Sequence, residues 1–160
     1  MKIFLIVFFI NFIFTFSTYA NENHPLTSKM NAFLVKVDKN GREILKPADK
    51  VSPKDKVEYQ LIYKNHSDKS LSGLVITGPI PENTQYVGNT GKTIIKSKFL
   101  VSIDGGNTFE SEPVKREVIK DGKKVEVIIP PEKYTNVRWI PEDSIKASEQ
   151  QIYSYRIEVK

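Results

Sequence analysis

The chain of 160 residues contains no cysteine, so it can form neither disulfides nor thiolate metal sites. It has two histidines, His24 and His66, and they do not form the His-x-x-x-His spacing of a metal pair. The sequence also lacks a Gly-x-Ser-x-Gly elbow and a phosphate-binding glycine loop. We therefore predict no catalytic residue, no metal site and no cofactor.

Long apolar runs are also absent beyond the N-terminus. Lys2 precedes an almost uninterrupted apolar run over residues 3–16, and Thr18-Tyr19-Ala20 places small residues at positions −3 and −1 of a cleavage site. This pattern predicts a cleavable secretory signal peptide over residues 1–20. A retained membrane anchor is the alternative, but the run is shorter than the ~20 residues that span a bilayer. We expect a periplasmic or extracellular product with no stable membrane span.

A strong excess of one charge is missing as well. The net charge is +5, and Lys2 would leave with the signal peptide. Basic and acidic residues are interleaved, as in Lys54-Asp55-Lys56, whereas nucleic-acid binding needs a dense basic stripe. The sequence therefore predicts a solvated surface and no nucleic-acid partner.

The sequence also lacks helical periodicity, because its apolar residues recur at every second position instead. Residues 21–30 are predicted to be a flexible polar lead-in, and residues 31–160 a single domain. The clearest strand is Lys56 to Lys64, and Asn40-Gly41 suggests a type I′ hairpin. About nine strands are predicted, near residues 32–37, 56–64, 71–77, 84–87, 99–103, 114–119, 125–129, 136–140 and 152–159.

Alternation with one polar face is typical of antiparallel sheets that are wet on one side. Two such sheets bury their dry faces against each other. The sequence therefore predicts an all-β, immunoglobulin-like antiparallel sandwich of about seven to nine strands. The faces formed by Val57, Tyr59, Leu61 and Tyr63 and by the alternate residues of 153–159 should supply the core.

The most distinctive segment is the loop from Ser102 to Phe109, with the sequence Ser-Ile-Asp-Gly-Gly-Asn-Thr-Phe. It resembles the Asp-box, a Ser-x-Asp-x-Gly-x-Thr-aromatic turn that sialidase-like propellers carry in each blade. This chain has one such turn, so the resemblance implies a local device of the fold and no sialidase activity. Loop amides can donate to the aspartate and the glycines can take positive φ, with the aromatic ring anchoring the turn to the core. The predicted structural turn comprises Ser102, Asp104, Gly106, Thr108 and Phe109.

Three stretches taken in order resemble the conserved-repeat domain, domain of unknown function eleven, of bacterial envelope and surface proteins. They are residues 51–59, residues 74–87, and residues 102–109 together with Val137-Arg138-Trp139 and 155–159. Lys54 stands where that family usually has glycine, and Gly78 where aspartate is common. The resemblance implies an immunoglobulin-like fold, a role in adhesion or envelope architecture, and no known active site.

The leading hypothesis is an exported, non-catalytic structural or protein-interaction module whose partner is an envelope protein or glycan. The alternative is a carbohydrate- or envelope-ligand-binding module with Tyr86, Tyr134 and Trp139 as its ligand face. Core packing is the favoured explanation for Trp139, which lies between Val137 and Ile140 in an apolar strand. An exposed set would favour glycan binding, and a buried set would favour a scaffold. A third hypothesis is a glycan-acting hydrolase that uses two carboxylates. The candidates on predicted loops are Asp104, Glu110, Glu112, Glu132, Glu142 and Asp143. The sequence leaves the oligomeric state open.

Overall fold

In the computed structural model, residues 24–160 are described, so the predicted signal peptide lies outside the described residues. Regular structure in that range is all strand, apart from one turn of 3-10 helix at Pro131–Lys133. No helix in it is long and apolar enough to cross a membrane. The strands are β1 (Leu26–Val37), β2 (Glu43–Pro47), β3 (Lys56–Asn65), β4 (Ile76–Pro79), β5 (Thr84–Tyr86), β6 (Lys92–Thr93), β7 (Ser97–Ser102), β8 (Lys115–Lys120), β9 (Lys123–Ile128), β10 (Asn136–Pro141) and β11 (Gln150–Val159).

The strands form two antiparallel sheets and a separate hairpin. The main sheet has the order β2-β1-β3-β11, and β5 and β6 share the outer edge of β11. The second sheet has the order β4-β10-β7, and β8 pairs with β9 alone. The prediction of an all-β antiparallel sandwich is therefore confirmed.

Alternation along β3 and β11 creates the inner face of the main sheet. β3 buries Val57 and Leu61, and β11 buries Tyr153, Tyr155 and Ile157. These strands are neighbours, with Tyr153 opposite Leu61 and Ile157 opposite Val57. The period-two pattern of the sequence therefore identified the buried face correctly.

The two sheets meet through aromatic side chains. Trp139 of β10 packs against two rings of β11, with centroid distances of 5.7 Å to Tyr153 and 6.1 Å to Tyr155. Phe99 of β7 lies 5.1 Å from the same indole. Offset and tilted ring pairs of this kind stabilise a core beyond the area that they bury.

Gly78 lets the second sheet approach Tyr155 closely. A Cβ atom at position 78 would lie 2.5 Å from Cε1 of the Tyr155 ring, which is closer than real Cβ contacts come. The Tyr155 hydroxyl donates a hydrogen bond to the carbonyl of Pro79, so the ring cannot easily move aside. A residue without a Cβ atom is thus required at position 78 by the neighbouring Tyr155 ring.

Two predicted segments differ in the structure. β1 begins at Leu26. Residues 26–30 are therefore paired strand, although residues 21–30 were predicted to be a flexible lead-in. These residues lie on a strand with exposed faces, where polar side chains give no apolar alternation to detect. In the stretch 71–77, a single bridge joins Leu71 to Ile145, and the strand begins only at Ile76.

The hairpin turns also differ from the prediction. At the end of β1 only Gly41 has a positive φ, 76°, and Asp38 accepts from the amides of Asn40 and Arg42 through its side chain. This is not the predicted type I′ turn, which needs two residues of positive φ. That arrangement occurs instead between β8 and β9, where Asp121 and Gly122 have φ of 52° and 75°.

Lys54 takes a backbone conformation that is unusual for a residue with a side chain. Its φ is 72°, in the left-handed region that glycine adopts at lower cost than other residues. The turn is held by its neighbours, since the Lys54 N–H donates to the Val159 carbonyl at 2.8 Å and the Ser52 N–H donates to Asp55 at 2.9 Å.

Replacing Gly78 with alanine tests the close approach of the sheets. We expect Gly78→Ala to lower the free energy of unfolding by about 1–3 kcal/mol, because the new methyl group forces the buried Tyr155 ring to move. Val75→Ala, at a half-exposed position three residues away, should change it by less than about 0.5 kcal/mol. Urea denaturation of both variants measures this, and equal stability of Gly78→Ala and the wild type would contradict the packing described.

Candidate functional site

The three aromatic residues that were predicted to form a ligand face lie in the core. Tyr86, Tyr134 and Trp139 are 2%, 3% and 2% exposed. Tyr86 stacks on Tyr134 with a centroid distance of 5.8 Å, and Trp139 lies between the sheets. The prediction of a shared ligand face is wrong, because the three rings fill the interior of the sandwich. Of the three, Trp139 also lines a concave surface, the groove described below.

Tyr86 also organises the loop that follows β5. Its hydroxyl accepts hydrogen bonds from the N–H of Gly91 at 3.1 Å and of Thr90 at 3.3 Å. Burial is the main reason that the pKa of Tyr86 is raised to about 12. The phenol therefore stays protonated at physiological pH, and it acts as a structural group.

The Asp104 carboxylate accepts the hydrogen bonds that hold the loop over residues 102–109. It accepts from the Thr108 hydroxyl at 2.6 Å, the Thr108 N–H at 2.9 Å and the Ser102 hydroxyl at 2.7 Å. Gly105 and Gly106 have φ of 76° and 89°, as such a tight turn requires. These bonds, from the Thr108 side chain above all, lower the pKa of Asp104 to about 2.

Phe109 lies in a different place from the one the sequence suggested. Its ring is half-buried beneath the guanidinium of Arg138, whose Cζ lies 3.5 Å from the ring centroid. Arg138 is held in turn by a 3.1 Å bond from its Nε to the Thr77 hydroxyl. The turn is thus attached to the second sheet through a cation–π contact outside the main core cluster.

Most candidate hydrolase carboxylates have structural partners. Glu110 forms a two-pronged salt bridge with Arg116, and Glu142 lies 2.6 Å from the Lys96 ammonium. Glu112 accepts long bonds from the Tyr86 hydroxyl and the Asn89 N–H, and its burial raises its pKa. Over residues 24–160, no group of three or more metal-binding side chains comes together.

Sequence reasoning missed the most important buried polar residue, Asn65. It is fully buried at the end of β3, and its Nδ2 donates to the carbonyls of Lys69 at 2.7 Å and Lys146 at 2.9 Å. Its backbone N–H donates to Glu149 at 3.0 Å. Asn65 thereby fixes the loop that leads into β11. An asparagine in a polar turn carries no sequence signal for such a role.

An open groove lies at the edge of the sandwich, beside β11. It has a volume of about 750 Å³, within the range of ligand sites. We call it the edge groove. Its lining residues are Gly91, Lys92, Thr93, Ile94, Ile95, Ser97, Phe99, Trp139, Gln150, Gln151, Ile152 and Ser154.

The edge groove exists because β6 is short. Lys92 and Thr93 pair with β11, and the chain then crosses to the second sheet, where β7 begins at Ser97. The crossing leaves Ile94 98% exposed at the rim. An isoleucine that exposed loses the benefit of burial, which makes it a candidate contact for another molecule.

The comparisons with known proteins are negative: no family model, no curated protein and no solved structure matches the chain. The class of the protein is therefore defined by its fold alone, as an antiparallel β-sandwich with an apolar groove at one sheet edge.

The Asp104 turn predicts a specific pH dependence. The folded pKa of about 2 lies below the ordinary value of 3.8, so the charged carboxylate stabilises the fold above that ordinary value. This stability is lost as the pH falls from 3.8 towards about 2. We expect Asp104→Asn to lower the Tm at pH 7 and the difference from wild type to shrink across that window. Thermal melts measure both.

Asp49→Asn is the matched control, because Asp49 is exposed and makes no hydrogen bond or salt bridge in the described range. Its Tm should follow the wild type at each pH. A constant difference between wild type and Asp104→Asn down to pH 2 would contradict the role given to the carboxylate.

Proposed function

We propose that this chain is an exported, non-catalytic interaction module of the bacterial cell envelope. The observation that carries the proposal is the lining of the edge groove, which consists of aliphatic, aromatic and uncharged polar groups with Lys92 as its charged member. A surface of this chemistry binds by burying apolar area, and its lining contains no carboxylate, histidine or cysteine.

The predicted signal peptide supports the exported location, which is part of the same proposal. In an oxidising compartment a cysteine-free chain has no disulfide to form, so its fold depends on packing alone. If residues 1–20 are removed, the chain begins at Asn21, five residues before β1.

The immunoglobulin-like and conserved-repeat relationships are also proposals. They are supported by a buried tryptophan between two antiparallel sheets and by the left-handed turn at Lys54, which fits a family glycine. In such families the sandwich is a scaffold and the binding surface varies.

A small apolar ligand of the envelope is the second candidate for the edge groove, because its volume would accommodate one. Sugar stacking on Tyr86, Tyr134 and Trp139 is not supported, since the three rings are buried. The hydrolase hypothesis has no observation in its favour, because Asp104, Glu110 and Glu142 are tied to local partners.

Photo-cross-linking in intact cells tests the proposed function. A photoreactive amino acid is placed at Ile94, at Ile119 on the exposed β8–β9 hairpin, or at Asp49 as the control. We expect the exported chain to begin at Asn21 and to give one discrete protein adduct from Ile94 or Ile119. Mass spectrometry identifies both. An unprocessed chain, or the absence of any position-specific adduct, would contradict the proposal.

A further inference from the structure

The backbone of β11 presents its hydrogen-bonding groups alternately to two sides, as in any antiparallel strand. The carbonyl of Glu149 accepts from Asn65, on the side of β3, whereas the carbonyl of Arg156 accepts from Val87, on the opposite side. Even-numbered residues of β11 therefore direct their N–H and C=O groups away from β3. Three of them, Gln150, Ile152 and Ser154, line the edge groove.

Strand β6 covers only part of this outer edge. It pairs with Tyr153 and Ser154, and the Thr93 hydroxyl donates to the carbonyl of Ile152 at 2.8 Å. The register ends there, so the N–H of Ile152 and both backbone groups of Gln150 face the groove without a strand partner in the described range. The groove occupies the position that β6 would fill if it were longer.

The side chains around the groove match the two faces of one further strand. Such a strand would lie about 4.8 Å from β11. Its inward side chains would meet Phe99 and Trp139 of the second sheet, and its outward side chains would lie beside Ile152 and Ile94. A segment with alternating apolar residues would therefore bury both sets.

We propose that the edge groove binds an extended segment of another protein, which adds a strand to β11 beside Gln150 and Ile152. Main-chain hydrogen bonds supply affinity in this mode, and pockets for alternate side chains supply specificity. Lys92 is the charged residue of the lining, and it forms no salt bridge within residues 24–160, although its charge contributes to the lowered pKa of the exposed Glu43. A carboxylate in the bound segment near Lys92 would complement this charge. This inference rests on the proposed function and names the chemistry of its partner.

A second copy of the chain is a poorer occupant than a different protein. Besides β11, the main sheet leaves uncovered the first half of β1, because β2 pairs with β1 only from Phe33 onwards, and the outer side of β2, which is the terminal strand. The β1 edge carries Thr27, Ser28 and Lys29, which lack apolar alternation and bring a further positive charge towards Lys92. The β2 edge ends in Lys46 and Pro47, a charge and a residue without an N–H, both of which disfavour strand addition.

Selection from a phage library of random decapeptides tests the proposal, with the exported chain as the target. We expect the selected peptides to alternate apolar residues and to contain Asp or Glu. Synthetic copies should bind at least about tenfold more weakly to Ile94→Asp than to wild type, since the acid replaces an apolar contact. Ile119→Asp is the matched control, because this isoleucine is also exposed and lies away from the groove. It should leave the dissociation constant unchanged.

Gln150→Pro probes the backbone bond itself. It removes an N–H that faces the groove at the first residue of β11, where proline is tolerated in a strand. We expect weaker peptide binding with an unchanged Tm, and a Tm matching wild type also verifies that the variant folds.

Three outcomes would overturn the inference: selected peptides without alternation, peptides insensitive to Ile94→Asp, or a wild-type dimer that Ile94→Asp dissociates. A photo-adduct from Ile119 combined with any of these would leave the proposed function standing and refute the groove as its site.

Discussion

The contact between Tyr155 and the second sheet is the constraint on which the rest of the structure depends. With no cysteine to join the sheets, the Tyr155 ring packs against Trp139 and fits over Gly78. Its hydroxyl is bonded to the Pro79 carbonyl, which satisfies the one polar atom of a fully buried side chain. This contact therefore determines how closely the second sheet approaches β11 at Gly78.

Because aromatic rings fill the interior, few of them are exposed at a surface that could bind another molecule. Tyr86, Tyr134 and Trp139 are buried between or beside the sheets, so aromatic stacking on a sugar is not available at these positions. The opening lies instead at the lateral edge, where β6 leaves β11 after two residues and Ile94 is exposed. The interaction site that we propose therefore exists because β6 is short. The aromatic residues of the sequence do not reveal its position.

The sequence predicted the features that depend on local pattern. Period-two alternation identified the buried faces of β3 and β11, because burial on one side of a strand imposes that period. Asn65 and the edge groove could not be predicted, since each depends on residues distant in sequence, such as Lys146 for Asn65. The start of β1 at Leu26 was also hidden, because a strand with two exposed faces has no apolar alternation.

Native-state hydrogen exchange of the free chain tests the central claim most directly. The account predicts that the N–H groups of Gln151 and Tyr153, which face β3, exchange only through global unfolding. The N–H of Ile152, which faces the groove, should exchange orders of magnitude faster although it lies between them in the same strand. Equal protection of Ile152 and Tyr153 would show that the edge of β11 is already covered, and it would contradict both the groove and its proposed partner strand.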